Sequence, residues 1–431
     1  MKRLTRHLAY CGFLLASLTT LPLQADNSPE DARLPLEELQ LFAQVFEQIR
    51  AAYVEEIDDK TLIENAITGL LGELDPHSAF LKKDSYKDLQ EHTDGEFGGI
   101  GIEVGMEDGF IKVISPIDDT PASRAGIESG DLIIKLDNSA VQGMNLEEAL
   151  NMMRGEKGTP LTLTIARGNN TSPLVITVIR DIIKTTSVRH KTLEEGFGYI
   201  RIAQFQTNTG AEFRDSIQAL LKEEAKPLKG LILDLRNNPG GLLPASVEVV
   251  DAMLDGGLVV YTEGRATSAN TRFSAQAGEL LQGTPLVILI NAGSASASEI
   301  VAGAIQDHRR GVIMGTTSFG KGSVQNILPL SDGRAIKLTT ARYFTPNGRS
   351  IQAEGIQPDI IVERAQIQRP SGQRSGIKEA DLSGHLSQGA TKKQTTTPPQ
   401  KHRAKIEDYQ LIEALNLLKG LAILSKQPLV N

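Results

Sequence analysis

Tryptophan is absent from these 431 residues, aromatic side chains make up only 4%, and there is a single cysteine. So few rings leave little for a platform on which bases or sugars would stack. The one cysteine, Cys11, sits in the first apolar stretch, so a chain cleaved beyond it has none. Disulfides, thiol catalysis and cysteine–metal centres are thereby excluded. Positive charge is also scarce. Against 53 Asp and Glu stand 45 Lys and Arg, a net charge of −8, and no basic stripe forms, so nucleic acid is not an expected partner. No His-Glu-x-x-His or comparable ligand spacing occurs, and a metal is not expected. The composition, 40% hydrophobic and 23% charged, is ordinary for a globular protein, and the length asks for two or three domains.

What is present begins with an address. Lys2, Arg3 and Arg6 precede a run from Leu8 to Leu23 with no Asp, Glu, Lys or Arg, and Gln24-Ala25 then leads into polar residues. This reads as a signal peptide over 1–25, removed after Ala25, which sends the chain to a bacterial periplasm. Pro22 and the shortness of the run argue against a permanent span. The bulky Tyr10 before Cys11 fits a lipid-attachment site poorly.

Hydrophobic periodicity divides the remainder into a multidomain α/β chain. Residues 26–94 form a helical region: Leu39, Phe42, Ala43, Phe46 and Ile49 recur at helical spacing. A second helix, Thr61 to Leu74, ends at Asp75-Pro76. Such a pair can cap an active site or form a dimer seam. Residues 95–181 change to short β runs with glycine turns and one helix, Leu146 to Arg154. Residues 182–365 alternate strands with helices, the rhythm of a sheet covered by helices. The stretch 366–405, rich in Gln, Ser, Gly, Thr, Lys and Pro, reads as a disordered linker. In 406–431 an amphipathic helix runs from Tyr409 to Leu424. Beyond such a linker it must dock somewhere, and oligomer assembly or partner binding are its expected uses.

Three overlapping motifs imply different chemistries. Gly315 to Lys321 comes one residue short of a phosphate-binding P-loop, since Gly322 replaces its Ser or Thr, and the following Ser323 to Pro329 reads as a strand where a helix is required. Ser318-Phe319-Gly320-Lys321 is formally the S-x-x-K of penicillin-binding proteins, but the glycines flanking Lys321 oppose the helical turn that motif needs. The third reading pairs Lys321 with a serine from Asn291 to Glu299, where small residues follow a buried strand and open a helix. A hydroxyl there meets free amides and the positive end of the helix dipole. Taken alone, Ser296 with Glu299 three residues on is equally a capping box. The neighbourhood favours chemistry: Asp234 to Gly241 follows another buried strand and ends in paired glycines able to turn amides toward a reacting carbonyl. A lysine buried between glycines sheds its proton readily and can act as general base. The histidine alternatives, His77 and His308, both lie in contexts that read as exposed helix ends.

Gly98-Gly99-Ile100-Gly101-Ile102 reads as a glycine-rich turn feeding a strand, whose amides can hold a terminal carboxylate while the strand edge pairs with a peptide. With Ala125-Gly126-Ile127-Glu128-Ser129-Gly130-Asp131 behind it, the segment resembles a PDZ domain, and the helix from Leu146 would wall the groove through Leu146 and Leu150.

These pieces in this order resemble the carboxyl-terminal processing proteases, the tail-specific family of S41 serine peptidases with a Ser–Lys dyad. The similarity runs from about Leu36 to Glu363. It implies a crotonase/Clp-like βαβ core, with Ser296 as nucleophile, Lys321 as base, Gln325 orienting the lysine, and the amides of Gly241 and Ala297 as oxyanion donors. No cofactor is implied. Protein and peptide substrates cut near their C-termini are implied, with cell-wall hydrolases and an adaptor lipoprotein as partners of exported members, and a homo-oligomer joined through terminal helices. The rival from another class is a catalytically silent PDZ adaptor.

Overall fold

Two five-residue runs, Gly230–Asp234, apolar up to its last residue, and the wholly aliphatic Leu286–Ile290, become strands buried at every position. They are the centre of a six-stranded sheet in the order Val188–Glu194, Phe197–Ile202, Gly230–Asp234, Leu286–Ile290, Val312–Gly315, Ile360–Ile361. The first pair is antiparallel and the others are parallel. Such a sheet is covered on both faces, and alternation along each strand decides which residue meets which cover. Leu231, Leu233, Ile288 and Ile290 join one core with Phe213, Val249 and Val301 from the helices Thr209–Glu224, Leu243–Asp251 and Ala297–Asp307. Ile232, Val287 and Leu289 face the other way, onto Leu411, Ala414, Leu415 and Leu418 of the helix Tyr409–Leu424. The C-terminal helix thus spends its apolar side on its own chain, where the sequence left oligomer or partner contacts open. Gly230 permits the approach, since a Cβ there would stand 3.0 Å from Leu418.

The computed structural model describes residues 34–117, 119–168, 172–224, 227–365, 383 and 408–424. The expected signal peptide and almost all of the expected linker lie outside the described residues. Among the described residues no helix is long and apolar enough to cross a membrane.

A second, antiparallel sheet runs in the order Ala79–Leu81, Ala335–Phe344, Gly257–Gly264, Thr271–Ala275, with Ser323–Pro329 also pairing Ala335–Phe344. The third sheet is that of the glycine-turn segment: Ile102–Glu107, Phe110–Pro116, Leu132–Leu136, Pro160–Ala166 and Leu174–Ile179 around a core of Ile111, Val113, Ile133, Leu161 and Ile165. Its helix Leu146–Met153 starts from a full Asn145/Glu148 capping box. A one-turn helix, Pro121–Arg124, was not foreseen; Pro121 at its first position supplies the preset φ that starts it.

The chain divides into two compact units at Ile67/Thr68. In the first, the helix Leu36–Ala52 has no buried residue, and Leu39, Phe42, Val45 and Ile49 on it are exposed.

Candidate active site

Ser296 is the N-cap of the helix Ala297–Asp307 and has φ 55°, ψ −113°. Positive φ in a non-glycine residue is strained, and such strain persists where surroundings over-determine it. The two flanking serines are spent. Ser294 Oγ donates to the Leu235 carbonyl at 2.8 Å, and Ser298 Oγ to that of Asn238 at 3.0 Å. Ser296 opens instead on a cleft of about 710 Å³ that Lys321, Gln325, Gly241, Ala297 and Tyr343 also line.

The paired-glycine turn is tied to the serine segment. Asn238 takes the Ala295 amide on its carbonyl at 3.0 Å, and its side-chain oxygen takes the Gly240 amide at 2.9 Å. Gly240, at φ 103°, lies so close that a Cβ would stand 2.8 Å from both the Ala295 carbonyl and Ser296 Cβ. A Cβ on Gly241 would strike the Phe205 carbonyl at 2.1 Å. The amides of Gly241 and Ala297 make no hydrogen bond among the described residues, so both remain available to a ligand in the cleft.

Lys321 leads into the strand Ser323–Pro329, half-buried. Burial, then the nearby Lys337 ammonium, push its pKa below the ordinary lysine value, against the carboxylates of Asp75 and Glu299. Gln325 Nε2 donates to Ser323 Oγ at 2.9 Å and Thr339 Oγ1 at 3.3 Å.

Two residues not singled out for chemistry complete the site. Glu299 is fully buried, and its carboxylate accepts from the amides of Ser296, Gly320 and Lys321 and from the Ser318 hydroxyl, at 2.6–2.9 Å. The capping-box spacing was the signal for the first of these bonds; the other three come from a distant loop. Tyr343, also buried, bonds its hydroxyl to the Lys321 carbonyl and to Ser296. Burial holds its phenol well above the usual range.

The rival motifs fall away on the same contacts. Ser318 gives its hydroxyl to Glu299 and takes the Ile356 amide at 2.6 Å, so it is a loop tie with no helical lysine beside it. The segment after Lys321 is a strand, as expected, and opens no phosphate-binding helix. His308 is exposed and bonds the Leu258 carbonyl. His77 requires a correction: it is half-buried, and desolvation and then the charge of Lys321 lower its pKa. The cause is the pairing of Ala79–Leu81 with Ala335–Phe344, which folds the helix end inward.

In the glycine-turn segment, Gly98 and Gly99 belong to the strand Glu96–Gly99, paired with Asp181–Lys184, instead of to a turn. Gly98 is required there because a Cβ would meet the Gly155 carbonyl at 2.1 Å. The turn proper is Ile100-Gly101. Their carbonyls accept from Ala122 and Ile117, while their amides make no hydrogen bond among the described residues. Ile102 starts the edge strand, and Leu146 and Leu150 are half-buried on the helix Leu146–Met153.

Comparison with known proteins agrees with this division of labour. The family model described as "Peptidase family S41" matches residues 196–362, "PDZ domain" matches 98–178, and "Activating protease CtpB N-terminal domain" matches 14–85. A carboxy-terminal-processing protease of Bartonella bacilliformis is 46% identical over 410 residues, covering 95% of this chain and 94% of that protein. The carboxy-terminal processing protease CtpA of Bacillus subtilis is 35% identical over 320 residues, 74% of this chain and 67% of its own. Among solved structures, a photosystem II D1 C-terminal processing protease is 31% identical with a TM-score of 0.45, over 76% of this chain and 93% of its own. The chain therefore belongs to the carboxy-terminal processing proteases of peptidase family S41, and is a serine peptidase that carries a PDZ domain.

Proposed function

We propose that the chain is an exported endopeptidase that cuts polypeptides near their C-termini with a Ser296–Lys321 dyad. One observation carries the reading: a strained serine and a lysine of lowered pKa line a single cleft, while the serines on either side are hydrogen-bonded away. Lys321 Nζ takes the Ser296 proton as Oγ attacks the scissile carbonyl. The amides of Gly241 and Ala297 hold the resulting oxyanion, and Gln325 orients the lysine. Lys321 returns the proton to the departing amine, leaving an acyl-enzyme. Water then adds, again with Lys321 as base, and frees Ser296.

The PDZ domain would take the substrate tail, its carboxylate on the amides around Gly99 to Gly101, its strand beside Ile102, and its side chains against Leu146 and Leu150. It would also gate the cleft. The helix Lys83–Asp94, whose Leu89, His92 and Thr93 line the cleft, leads straight into the PDZ strand Glu96–Gly99. The periplasmic address rests on the basic and apolar start of the sequence. Cell-wall hydrolases and an adaptor lipoprotein are the partners such an address suggests. The exposed apolar residues of Leu36–Ala52 suit a seam between copies.

Digestion of casein or a C-terminally tagged peptide by the native chain and by Ser296→Ala tests the reading. Loss of turnover in the variant, with tail binding kept, supports it; equal turnover in both would remove Ser296 as the nucleophile, and turnover in neither would leave the PDZ adaptor as the remaining function.

A further inference from the structure

The turn before the strand Ala79–Leu81 reaches Gln325, in the lining of the cleft, through a chain of hydrogen-bonded side chains. Asp75 Oδ1 accepts the amides of His77 and Ser78 at 2.8 and 2.9 Å, and Oδ2 accepts the Ser78 hydroxyl at 2.6 Å. Oδ1 also accepts the Thr339 hydroxyl at 3.1 Å, and the Thr339 amide donates to Ser78 Oγ at 3.2 Å. Register holds this in place, with Ala79 opposite Lys337 and Gln325 opposite Thr339.

A carboxylate only accepts, so Thr339 must donate to Asp75, and its remaining capacity toward Gln325 is as an acceptor. Gln325 accordingly spends its two amide hydrogens on Thr339 and Ser323. Its carbonyl oxygen is left over, in the cleft that Lys321 shares. Partial burial raises the Asp75 pKa, but the bonds from Ser78, His77 and Thr339 hold it down at about 2, so the polarity of the chain does not change with working pH. We infer that Asp75 is a positioning residue for Lys321: through Thr339 it obliges Gln325 to turn its carbonyl oxygen toward the amine. The inference rests on Lys321 being the base.

Charge adds a second handle. Lys321 is faced by Lys337 from the neighbouring strand, by Asp75 and His77 from the turn, and by Glu299 from the helix behind it. The Lys337 ammonium favours release of the Lys321 proton and the Asp75 carboxylate opposes it. Replacing one or the other must therefore move the Lys321 titration in opposite directions, which a merely structural role would not do.

The test uses the full chain with Asp75→Asn, Thr339→Val and Lys337→Gln, each checked by thermal melting. The readouts are kcat/KM against pH on a quenched peptide, and the pH dependence of Lys321 acylation by acetic anhydride, followed by peptide mass spectrometry. Asp75→Asn should move both acid limbs to lower pH and Lys337→Gln to higher pH. Thr339→Val keeps every charge, so it should lower kcat about tenfold, the size of one lost hydrogen bond, without moving the limb. Native kcat in Thr339→Val, or an acylation limb that stays put in a folded Asp75→Asn, would overturn the inference; Thr339→Val decides it even where Asp75→Asn fails to fold. A different failure marks the base assignment. If acylation shifts as stated while the kcat/KM limb stays still, Asp75 governs Lys321 but Lys321 is not the base.

Discussion

The amides of Ser296 and Lys321 donate to the same oxygen of Glu299, at 2.7 and 2.9 Å. Two segments 25 residues apart in sequence are thus registered against one buried carboxylate. Glu299→Ala orphans four donors in a dry site, at about 3–5 kcal/mol, the range for breaking a buried charged pairing. Denaturant unfolding should show that loss. Glu299→Gln, which keeps the shape but lacks the charge, should fold with kcat lowered at least about tenfold.

Lys321 should make activity climb with pH. Burial and Lys337 lower its pKa below the free-lysine value of 10.5, so kcat/KM rises through a midpoint under that value as the amine loses its proton. The same shift bears on stability. The native state binds fewer protons here than the unfolded chain, so the penalty is fully present below the native pKa and disappears as pH rises past 10.5. Lys321→Met should therefore abolish turnover yet raise Tm at neutral pH, with the gain shrinking in alkali. Scanning calorimetry at several pH values measures it.

Gly240 separates packing from chemistry. Alanine there must adopt φ near 103° with its Cβ 2.8 Å from Ser296 Cβ. Gly240→Ala should cost about 2 kcal/mol or more in stability and push the turn off the serine. A loss of kcat larger than the change in KM, from steady-state kinetics, is the expected signature.

The C-terminal helix should be an integral part of the protease. Leu418 is completely buried against the sheet, so Leu418→Ala should cost about 2–5 kcal/mol. Asp408, just ahead of the helix, pairs at 2.7 Å with Arg236, which also grips Asp234 at the start of the glycine turn. Asp408→Ala should lower both Tm and kcat, measured on the full chain.

Much of this was readable in one dimension. Unbroken aliphatic runs such as Leu286–Ile290 can only be buried strands, and the Asn145/Glu148 cap starts its helix where local chemistry says it must. The helix Tyr409–Leu424 was expected at the bounds it has, because Leu411, Leu415 and Leu418 recur at helical spacing. Tyr343 escaped notice, His77 was read as an exposed helix end and Asp75 only as a helix stop, because nothing local marks their surroundings. Each gains its place from a strand pairing across more than 200 residues of sequence or from a contact with a distant loop.

Sequence alone therefore determined the elements, the order of the modules and which residue types could do chemistry, since propensity, periodicity and capping act over a few neighbouring residues. Only the tertiary structure decided that the serines on either side of Ser296 are tied to backbone carbonyls, that Lys321 is half-buried with a lowered pKa, and what holds the two segments. Those depend on burial and on hydrogen bonds between segments that meet only after the sheets have formed.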